Sequence, residues 1–472
     1  MKNLTFLVLI LLLSENSINA NAKNHKHRKQ GKAGPPTASK GRPLVYKNDD
    51  NGGDVLDANA TPSVTISNTF SVRSYGAKGD GVADDTSAFE KAWADACKVQ
   101  GSTVLIPSGF VFLVKPMAFS GPNCQSNIVF QLDGKIIAPT NFGAWGKGLL
   151  QWLDFSKLKG IAIKGQGVID GRGSVWWNDK TTTYQTDQED ASDLQGEGED
   201  KAGMPSTKPT ALRFYGSTDV TVTGITIQNS PQTHLKFDDC VGVQVSGISI
   251  SSPANSPNTD GIHLQNSQDV IIHTTNLACG DDCISIQTGC NGIYVHNVNC
   301  GPGHGISIGG LGKDGTKACV SNITVRDSTI KNTMNGVRIK TWQGGSGSVQ
   351  GVMFSNIQVS EVENPILIDQ YYCDGHRCAN KTSNVAISSV SYQSIKGTYV
   401  TNPIRLACSE STPCSGITLS TIILHPSLNA KNDSPFCWEA FGEIQTATTP
   451  TVTCLRNGGP SHKQPSNSGG SC

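Results

Sequence analysis

The sequence predicts an all-β, single-domain protein whose short strands wind into a parallel β-helix. A short apolar phrase recurs at intervals of 23–33 residues, a second phrase accompanies most copies, and only one stretch has a helical pattern. One coil of such a solenoid cannot bury its apolar face alone, whereas stacked coils share a continuous core. This internal similarity outweighs the two or three domains that the length of 472 residues would otherwise suggest.

The first phrase alternates apolar and variable residues, which is the period of a β-strand. Gly, Asn or Asp comes just before most copies, and these residues favour turns. The copies begin at Val220, Val243, Val270, Ile293, Ile323, Val352, Val385 and Ile417. A β-propeller is the second choice, but its blades need about 40 residues each.

The second phrase supplies another strand in each repeat. Its copies begin at Ile262, Ile284, Ile306, Val337, Ile366 and Ile404. The stretch from Asp85 to Cys97 has the pattern of an amphipathic helix. We expect this helix to cap the open first coil and protect its edge strands.

Three polar residues occupy one position of the repeat. Asp260, Asp282 and His304 each lie two residues before a second phrase, at steps of 22 residues. Because stacked strands lie about 4.8 Å apart, these side chains should form a column on one face. Asp281 lies beside Asp282 at the turn.

Carboxylates packed this closely repel one another, so at least one should have a raised pKa. A carboxylic acid beside a carboxylate is what glycoside hydrolysis requires. The alternative is an Asp ladder that only caps stacked turns. Two exposed bases, Arg338 and Lys340, follow in the next coil. They are either ion-pair partners of this cluster or ligands for a carboxylate on each unit of a sugar polymer.

The chain divides into four predicted segments. Residues 1–22 have the pattern of a secretory signal peptide, because their apolar run of ten residues is shorter than the ~20 that span a bilayer. Residues 23–66 are predicted to form a basic, disordered arm. This arm is either a linker or pro-segment, or it binds an anionic polymer through its positive charge. Residues 67–457 form the β-helix, and residues 458–472 form a tail.

Fifteen cysteines indicate an oxidising compartment, and their odd number leaves at least one without a partner inside the chain. Cys373 with Cys378, and Cys408 with Cys414, are close enough to form local disulfides. Outside the cell a nucleic acid partner is not expected. The acidic stretch Asp187–Asp200 is expected to be an exposed loop.

Four short motifs in order resemble the plant polygalacturonases, a glycoside hydrolase family that cleaves pectin. They are Asn258-Thr259-Asp260, Gly280-Asp281-Asp282, Gly303-His304-Gly305 and Arg338-Ile339-Lys340. The segment from Phe70 to Trp93 also resembles the family's N-terminal signature. The resemblance implies a right-handed parallel β-helix and hydrolysis of α-1,4-galacturonosyl bonds with inversion.

The resemblance also implies roles for the column. Asp281 corresponds to the general acid that protonates the leaving oxygen. Asp260 and Asp282 correspond to the pair that activates water, and His304 supports protonation of the acid. Neighbouring-strand spacing between Asp260 and Asp282 is shorter than the roughly 6.5–9.5 Å of an inverting acid–base pair. Inversion is compatible with this short spacing if Asp260 and Asp282 together hold the water while Asp281 acts across the cleft.

Further residues match the family's substrate-binding set: Asn258, Arg338, Lys340 and Tyr372, with the neighbouring Tyr371 as the alternative to the last. No metal or cofactor is implied. The expected partner is the homogalacturonan of pectin, with a secreted, monomeric protein acting in the cell wall.

Several alternatives stay open at this point. The sequence does not distinguish endo from exo action. A rhamnogalacturonan hydrolase or a calcium-dependent pectate lyase would also be an enzyme on this fold. A wall-binding solenoid without activity is the remaining class, which the complete carboxylate set disfavours.

Overall fold

The computed structural model describes residues 68–146, 151–177, 207–373, 378, 380–428 and 430–460. The predicted signal peptide, the basic arm, the acidic stretch and most of the predicted tail lie outside these ranges. Within them, no helix is both long enough and apolar enough to cross a bilayer.

The described residues are almost entirely β-structure. In chain order the first strands are β1 (Thr69–Ser71), β2 (Asp80–Asp84), β3 (Thr103–Ile106), β4 (Val111–Leu113), β5 (Met117–Ser120), β6 (Val129–Leu132), β7 (Lys135–Ile137), β8 (Gln151–Ser156), β9 (Ala162–Lys164), β10 (Val168–Asp170), β11 (Thr210–Tyr215), β12 (Thr218–Thr223), β13 (Thr226–Gln228), β14 (Leu235–Asp238), β15 (Val241–Ser246) and β16 (Ser249–Ser251).

The remaining strands are β17 (Ile262–Gln265), β18 (Gln268–Ala278), β19 (Ile284–Ile286), β20 (Asn291–Cys300), β21 (Ile306–Leu311), β22 (Lys317–Lys331), β23 (Asn335–Trp342), β24 (Ser346–Val362), β25 (Asn364–Tyr372), β26 (Asn384–Tyr399), β27 (Ile404–Ala407), β28 (Cys414–Ser420), β29 (Ile423–Pro426), β30 (Phe436–Trp438), β31 (Ala440–Ile444) and β32 (Arg456–Asn457). The α-helices are α1 (Thr86–Ala96) and α2 (Ser174–Trp177).

These strands form two sheets that wind together as a right-handed parallel β-helix. Sheet 1 has 21 strands, and sheet 2 has eleven: β5, β8, β11, β14, β17, β19, β21, β23, β25, β27 and β30. Neighbouring strands pair in parallel, as in the pairs β17–β19 and β24–β26. This arrangement confirms the predicted solenoid and excludes the β-propeller.

The corners of the coils repeat as well as the strands. In sheet 1, β15 and β16 of one coil both pair with the single long strand β18 of the next. The same bend recurs in successive coils, and residues with positive φ lie there: Gly247 (62°), Thr274 (54°) and Asn297 (54°). Gly and Asn tolerate this left-handed region better than most residues, which explains their recurrence at the corners.

One predicted phrase was placed wrongly. The structure pairs Val352 with Val390, so the matching phrase is Val390-Ser391-Tyr392 and not the one that begins at Val385. Both phrases lie within the long strand β26 (Asn384–Tyr399), and in both of them buried apolar residues alternate with more exposed residues. Periodicity alone cannot choose between two registers in one alternating strand.

The predicted helix is confirmed as α1, which follows Asp85 and covers the first coils. Its Trp93 packs edge-on against Phe119 and Phe155 at ring distances of 5.2 and 5.9 Å. Inside sheet 2, Phe155 continues into a stack with Phe214 and Phe237 at 5.4 and 5.2 Å. The helix therefore closes the end of a continuous apolar core.

Disulfides fix several turns of the described chain. The predicted local pairs Cys373–Cys378 and Cys408–Cys414 are confirmed. The further pairs are Cys97–Cys124, Cys283–Cys300 and Cys437–Cys454. Within the described ranges the free thiols are Cys240, Cys279 and Cys290, all buried. Burial raises the pKa of each of these thiols, so they remain protonated and inert.

Candidate active site

The predicted polar column lies at the entry to three adjacent strands of sheet 2. The strands β17, β19 and β21 pair in the register Ile262, Ile284, Ile306. Asp260, Asp282 and His304 therefore occupy equivalent positions two residues before these partners. The equal 22-residue steps in the sequence bring them together because each step spans one complete coil between paired strands.

Asp281 forms an ion pair with His304. Its Oδ1 lies 2.9 Å from Nδ1 of His304 and accepts a hydrogen bond from the backbone N–H of Asp282 at 2.8 Å. Burial alone would raise the pKa of Asp281, but the hydrogen bond and charge of His304, with the charges of Lys340 and Arg338, lower it to about 2. Within the described residues, Oδ2 of Asp281 has no hydrogen-bond partner, so it is available to a ligand.

His304 is the cation of this pair. Burial alone would lower its pKa, but the hydrogen bond and charge of Asp281, with the charge of Asp282, raise it. Its backbone N–H donates to the carbonyl oxygen of Asp281 at 2.7 Å, which ties the two turns together. The pair therefore holds its proton on the imidazole in the free site.

Asp260 carries the shared proton of the cluster. Burial and the neighbouring charge of Asp281 raise its pKa to about 7, although His263 opposes the shift. Nδ1 of His263 lies 3.5 Å from Oδ2 of Asp260. The raised pKa that crowding predicts for at least one carboxyl thus falls on Asp260, which holds a proton more readily than Asp281 in the free site. The resemblance had led us to expect it on Asp281.

Asp282 is held by two buried cations. Its Oδ1 accepts from Nη2 of Arg338 at 2.7 Å and from the hydroxyl of Ser307 at 2.8 Å, and its Oδ2 lies 3.3 Å from Nζ of Lys340. Arg338 and Lys340 were expected to be exposed, which is wrong: each is 7% exposed. They project from β23 beside the core residues Val337 and Ile339, and a buried base needs such a carboxylate partner.

The charges of the cluster do not balance. Arg338, Lys340 and the protonated His304 supply three positive charges, whereas Asp281 and Asp282 supply two negative charges while Asp260 is protonated. The difference is 3 − 2 = +1, leaving aside His263 and Asp369, a half-buried carboxyl of raised pKa that also faces Arg338. A site with one uncompensated buried cation attracts one anionic group, and Arg and Lys are suited to a carboxylate.

The same residues are poorly suited to a metal ion. Asp281, Asp282 and His304 each have a potential ligand atom within 4.8 Å of the others. However, Nδ1 of His304 is engaged with Asp281, and both oxygens of Asp282 face Arg338 or Lys340. A divalent cation would lie against three positive charges, which is electrostatically unfavourable.

The other predicted binding residues lie on the same side of the coil. Nζ of Lys340 lies 5.0 Å from the ring centre of Tyr372, which packs edge-on against Trp342. This contact favours Tyr372 over Tyr371 as the site tyrosine. Asn258 is half-buried with φ 55°, two residues before Asp260. Its side chain makes no hydrogen bond within the described part of the chain.

Sequence reasoning missed three contacts of the site. His263 and Ser307 occupy outward positions of β17 and β21 and contact Asp260 and Asp282. With its amide oxygen turned toward Arg338, Asn335 accepts a hydrogen bond from Nη1 at 3.2 Å. The alternation of β17 and β21 places His263 and Ser307 outward, whereas Asn335 lies two residues before Val337, the register partner of Ile306. Asn335 therefore continues the column of Asp260, Asp282 and His304, and the register reveals all three contacts.

Comparisons with known proteins identify the family of the chain. The family model described as glycosyl hydrolases family 28 matches residues 97–435. A polygalacturonase of Cryptomeria japonica is 42% identical, covering 76% of this chain and 67% of its own. A polygalacturonase of Malus domestica is 40% identical, covering 75% and 74%.

Solved structures share the fold. The polygalacturonase from Erwinia carotovora ssp. carotovora has a TM-score of 0.56 at 26% identity, covering 74% of this chain and 94% of its own. The exopolygalacturonase from Thermotoga maritima has a TM-score of 0.62 at 21% identity, covering 78% and 91%. With the family model and the plant relatives, these matches lead to one conclusion: the chain belongs to glycosyl hydrolases family 28.

Proposed function

We propose that this protein hydrolyses the α-1,4-galacturonosyl bonds of de-esterified pectin. The observation that carries the proposal is the excess positive charge of Arg338, Lys340 and His304 beside a protonated Asp260. Such a site selects a sugar that brings its own carboxylate. The polygalacturonase relatives at about 40% identity support the same substrate class.

In the proposed mechanism, Asp281 donates the proton to the leaving oxygen through Oδ2, its unengaged atom. When substrate displaces water, the Asp281–His304 ion pair loses solvation, which favours transfer of the proton from Nδ1 of His304 to the carboxylate. Asp260 and Asp282 hold the attacking water between them, and Asp282 accepts its proton. The proton of His304 thus supplies the acid through Asp281, and the carboxylate of Asp282 supplies the base that the reaction needs.

Substrate binding also involves the side of the site formed by Tyr372 and Asn258. The sugar carboxylate would share Arg338 and Lys340 with Asp282, and Tyr372 would position the ring. We propose inversion on the family resemblance, and endo action as the working assignment, with exo action and rhamnogalacturonan hydrolysis as the alternatives.

We further propose that the protein is secreted and acts as a monomer in the cell wall. The disulfides of the described coils support an oxidising compartment. Four Asn-X-Ser/Thr motifs, which are the acceptor pattern for N-glycosylation, begin at Asn59, Asn322, Asn380 and Asn432. The last three asparagines are exposed, and Asn59 lies outside the described residues.

The test is a product analysis on de-esterified polygalacturonic acid at about pH 5, with wild type beside Asp281→Asn. Saturated oligomers of mixed length from wild type alone would support endo-hydrolysis, and monomer alone would mean exo action. EDTA should leave the rate unchanged. Products that absorb in the ultraviolet, lost with EDTA, would identify a calcium-dependent lyase and overturn the proposal.

A further inference from the structure

A second feature of sheet 2 lies at its far end, on the face that bears Arg338 and Lys340. The outward residues of the last strands are Arg405 on β27 and Phe436 and Trp438 on β30, with Tyr371 beside them at the end of β25. We call Tyr371, Phe436 and Trp438 the aromatic platform. They are 36%, 40% and 41% exposed, and they are three of the four exposed aromatic residues in the described ranges.

The register makes this platform an extension of the candidate active site. Arg338 pairs with Leu367, Leu367 with Arg405, and Arg405 with Phe436, which places them on one line across the strands. The parallel line runs from Lys340 to Trp438. Three strand spacings separate each pair of ends, which is about 14 Å. A polysaccharide lying across sheet 2 would therefore reach the platform several units from the bond it presents to Asp281.

The charge of the platform differs from that of the active site. Arg405 lies over the ring of Phe436 at 4.6 Å, and its charge also faces Asp369. The charges of Glu410 and Glu439 both face Tyr371. Glu439 is paired with Arg456 at 3.1 Å. Acidic groups thus offset the bases, and an anionic sugar finds no uncompensated cation here.

From this juxtaposition we propose that the aromatic platform binds methyl-esterified galacturonate units of the same pectin chain. Flat exposed rings beside hydrogen-bonding groups suit the C–H face of an uncharged sugar, and esterification removes the charge that Glu410 would repel. The enzyme would then require a galacturonate unit with a free carboxylate at the candidate active site and favour a methyl-esterified unit at the aromatic platform. The inference depends on the proposed function, whose central site it extends.

The test compares wild type with Trp438→Ala and Phe436→Ala on unbranched homogalacturonan, either fully de-esterified or partly methyl-esterified. On the esterified polymer we expect kcat/KM to fall about fivefold to tenfold, the scale of one lost aromatic contact. On the de-esterified polymer it should change less than about twofold. Trp438→Phe should keep most of the activity. Ile271→Ala, at a 42% exposed residue of sheet 1, is the matched control for surface truncation.

If kcat/KM of Trp438→Ala and Phe436→Ala is unchanged on both polymers, the platform does not bind substrate. An equal loss on both polymers would overturn the proposed preference for methyl-esterified units. A loss confined to pectin with neutral side chains would assign the platform to those sugars and overturn the proposal. The melting temperature of each variant reports on folding. If wild type cleaves neither polymer, the proposed function fails, and direct binding of partly esterified oligomers to wild type and Trp438→Ala then tests the platform alone.

Discussion

One column of the β-helix carries two kinds of chemistry at the same position of the repeat. Its first part, Asp260, Asp282 and His304, cannot form a continuous hydrogen-bonded ladder, because ionised carboxylates have no donor. Its continuation in the later coils is an asparagine ladder. In it, Nδ2 of Asn402 donates to Asn364 at 3.0 Å, and Nδ2 of Asn432 donates to Asn402 at 3.1 Å.

The difference shows what the backbone provides and what the side chain adds. The repeat provides a spacing of about 4.8 Å between equivalent residues. An amide has both a donor and an acceptor, so amides at this spacing bond to each other. Carboxylates at the same spacing instead require Arg338, Lys340 and the imidazole of His304, and the resulting imbalance makes the site reactive.

Converting the carboxylate beside the column, Asp281, into an amide should break this comparison most strongly. We expect Asp281→Asn to lower kcat by about 10²–10⁴-fold, since an amide supplies no acid proton. The thermal unfolding temperature should stay close to that of wild type, because the amide can still accept the N–H of Asp282. Activity within tenfold of wild type would remove Asp281 from the mechanism.

Removing the cation that compensates the column should affect stability as well as activity. Arg338→Met leaves Asp282 buried with only Lys340 opposite, and we expect a loss of about 3 kcal/mol in the free energy of unfolding. Urea unfolding measures this loss. Arg456→Met, at the half-exposed pair with Glu439, is the control and should cost less than about 1 kcal/mol. Equal costs for both variants would contradict the role of burial.

The proton of the column gives a pH dependence with a defined sign. The pKa of Asp260 is raised to about 7, so kcat/KM should fall as the pH rises through that value and the cluster loses its proton. His263 lowers this pKa by its hydrogen bond and charge. His263→Ala should therefore move the alkaline limb of the pH profile to higher pH, and His263→Gln should move it less. A limb that stays fixed would contradict the contact.

The asparagine ladder should show the smallest effect. Asn402→Ala removes one donor and one acceptor contact, and we expect a loss of about 1 kcal/mol in the free energy of unfolding. The kcat on polygalacturonic acid should not change, because the ladder is purely structural. A large loss of kcat with intact stability would show that the column acts as one unit.

By itself the sequence determined the repeat, the helix that caps it and the alignment of Asp260, Asp282 and His304. These are local properties: the alternation of apolar residues and equal steps along the chain fix them before any coil is packed. The same local signal failed at β26, where an alternating strand of 16 residues permits more than one register. There the pairing with β24 selects Val390.

Only the tertiary structure decided the burial of Arg338 and Lys340, their pairing with Asp282, and the position of the proton on Asp260. Burial and charge depend on every neighbour in three dimensions, and those neighbours come from distant parts of the chain: Arg338 and its partner Asp282 are 56 residues apart. The same holds for the aromatic platform. Phe436 follows Arg338 by almost a hundred residues, and only the stacking of strands brings both to one face.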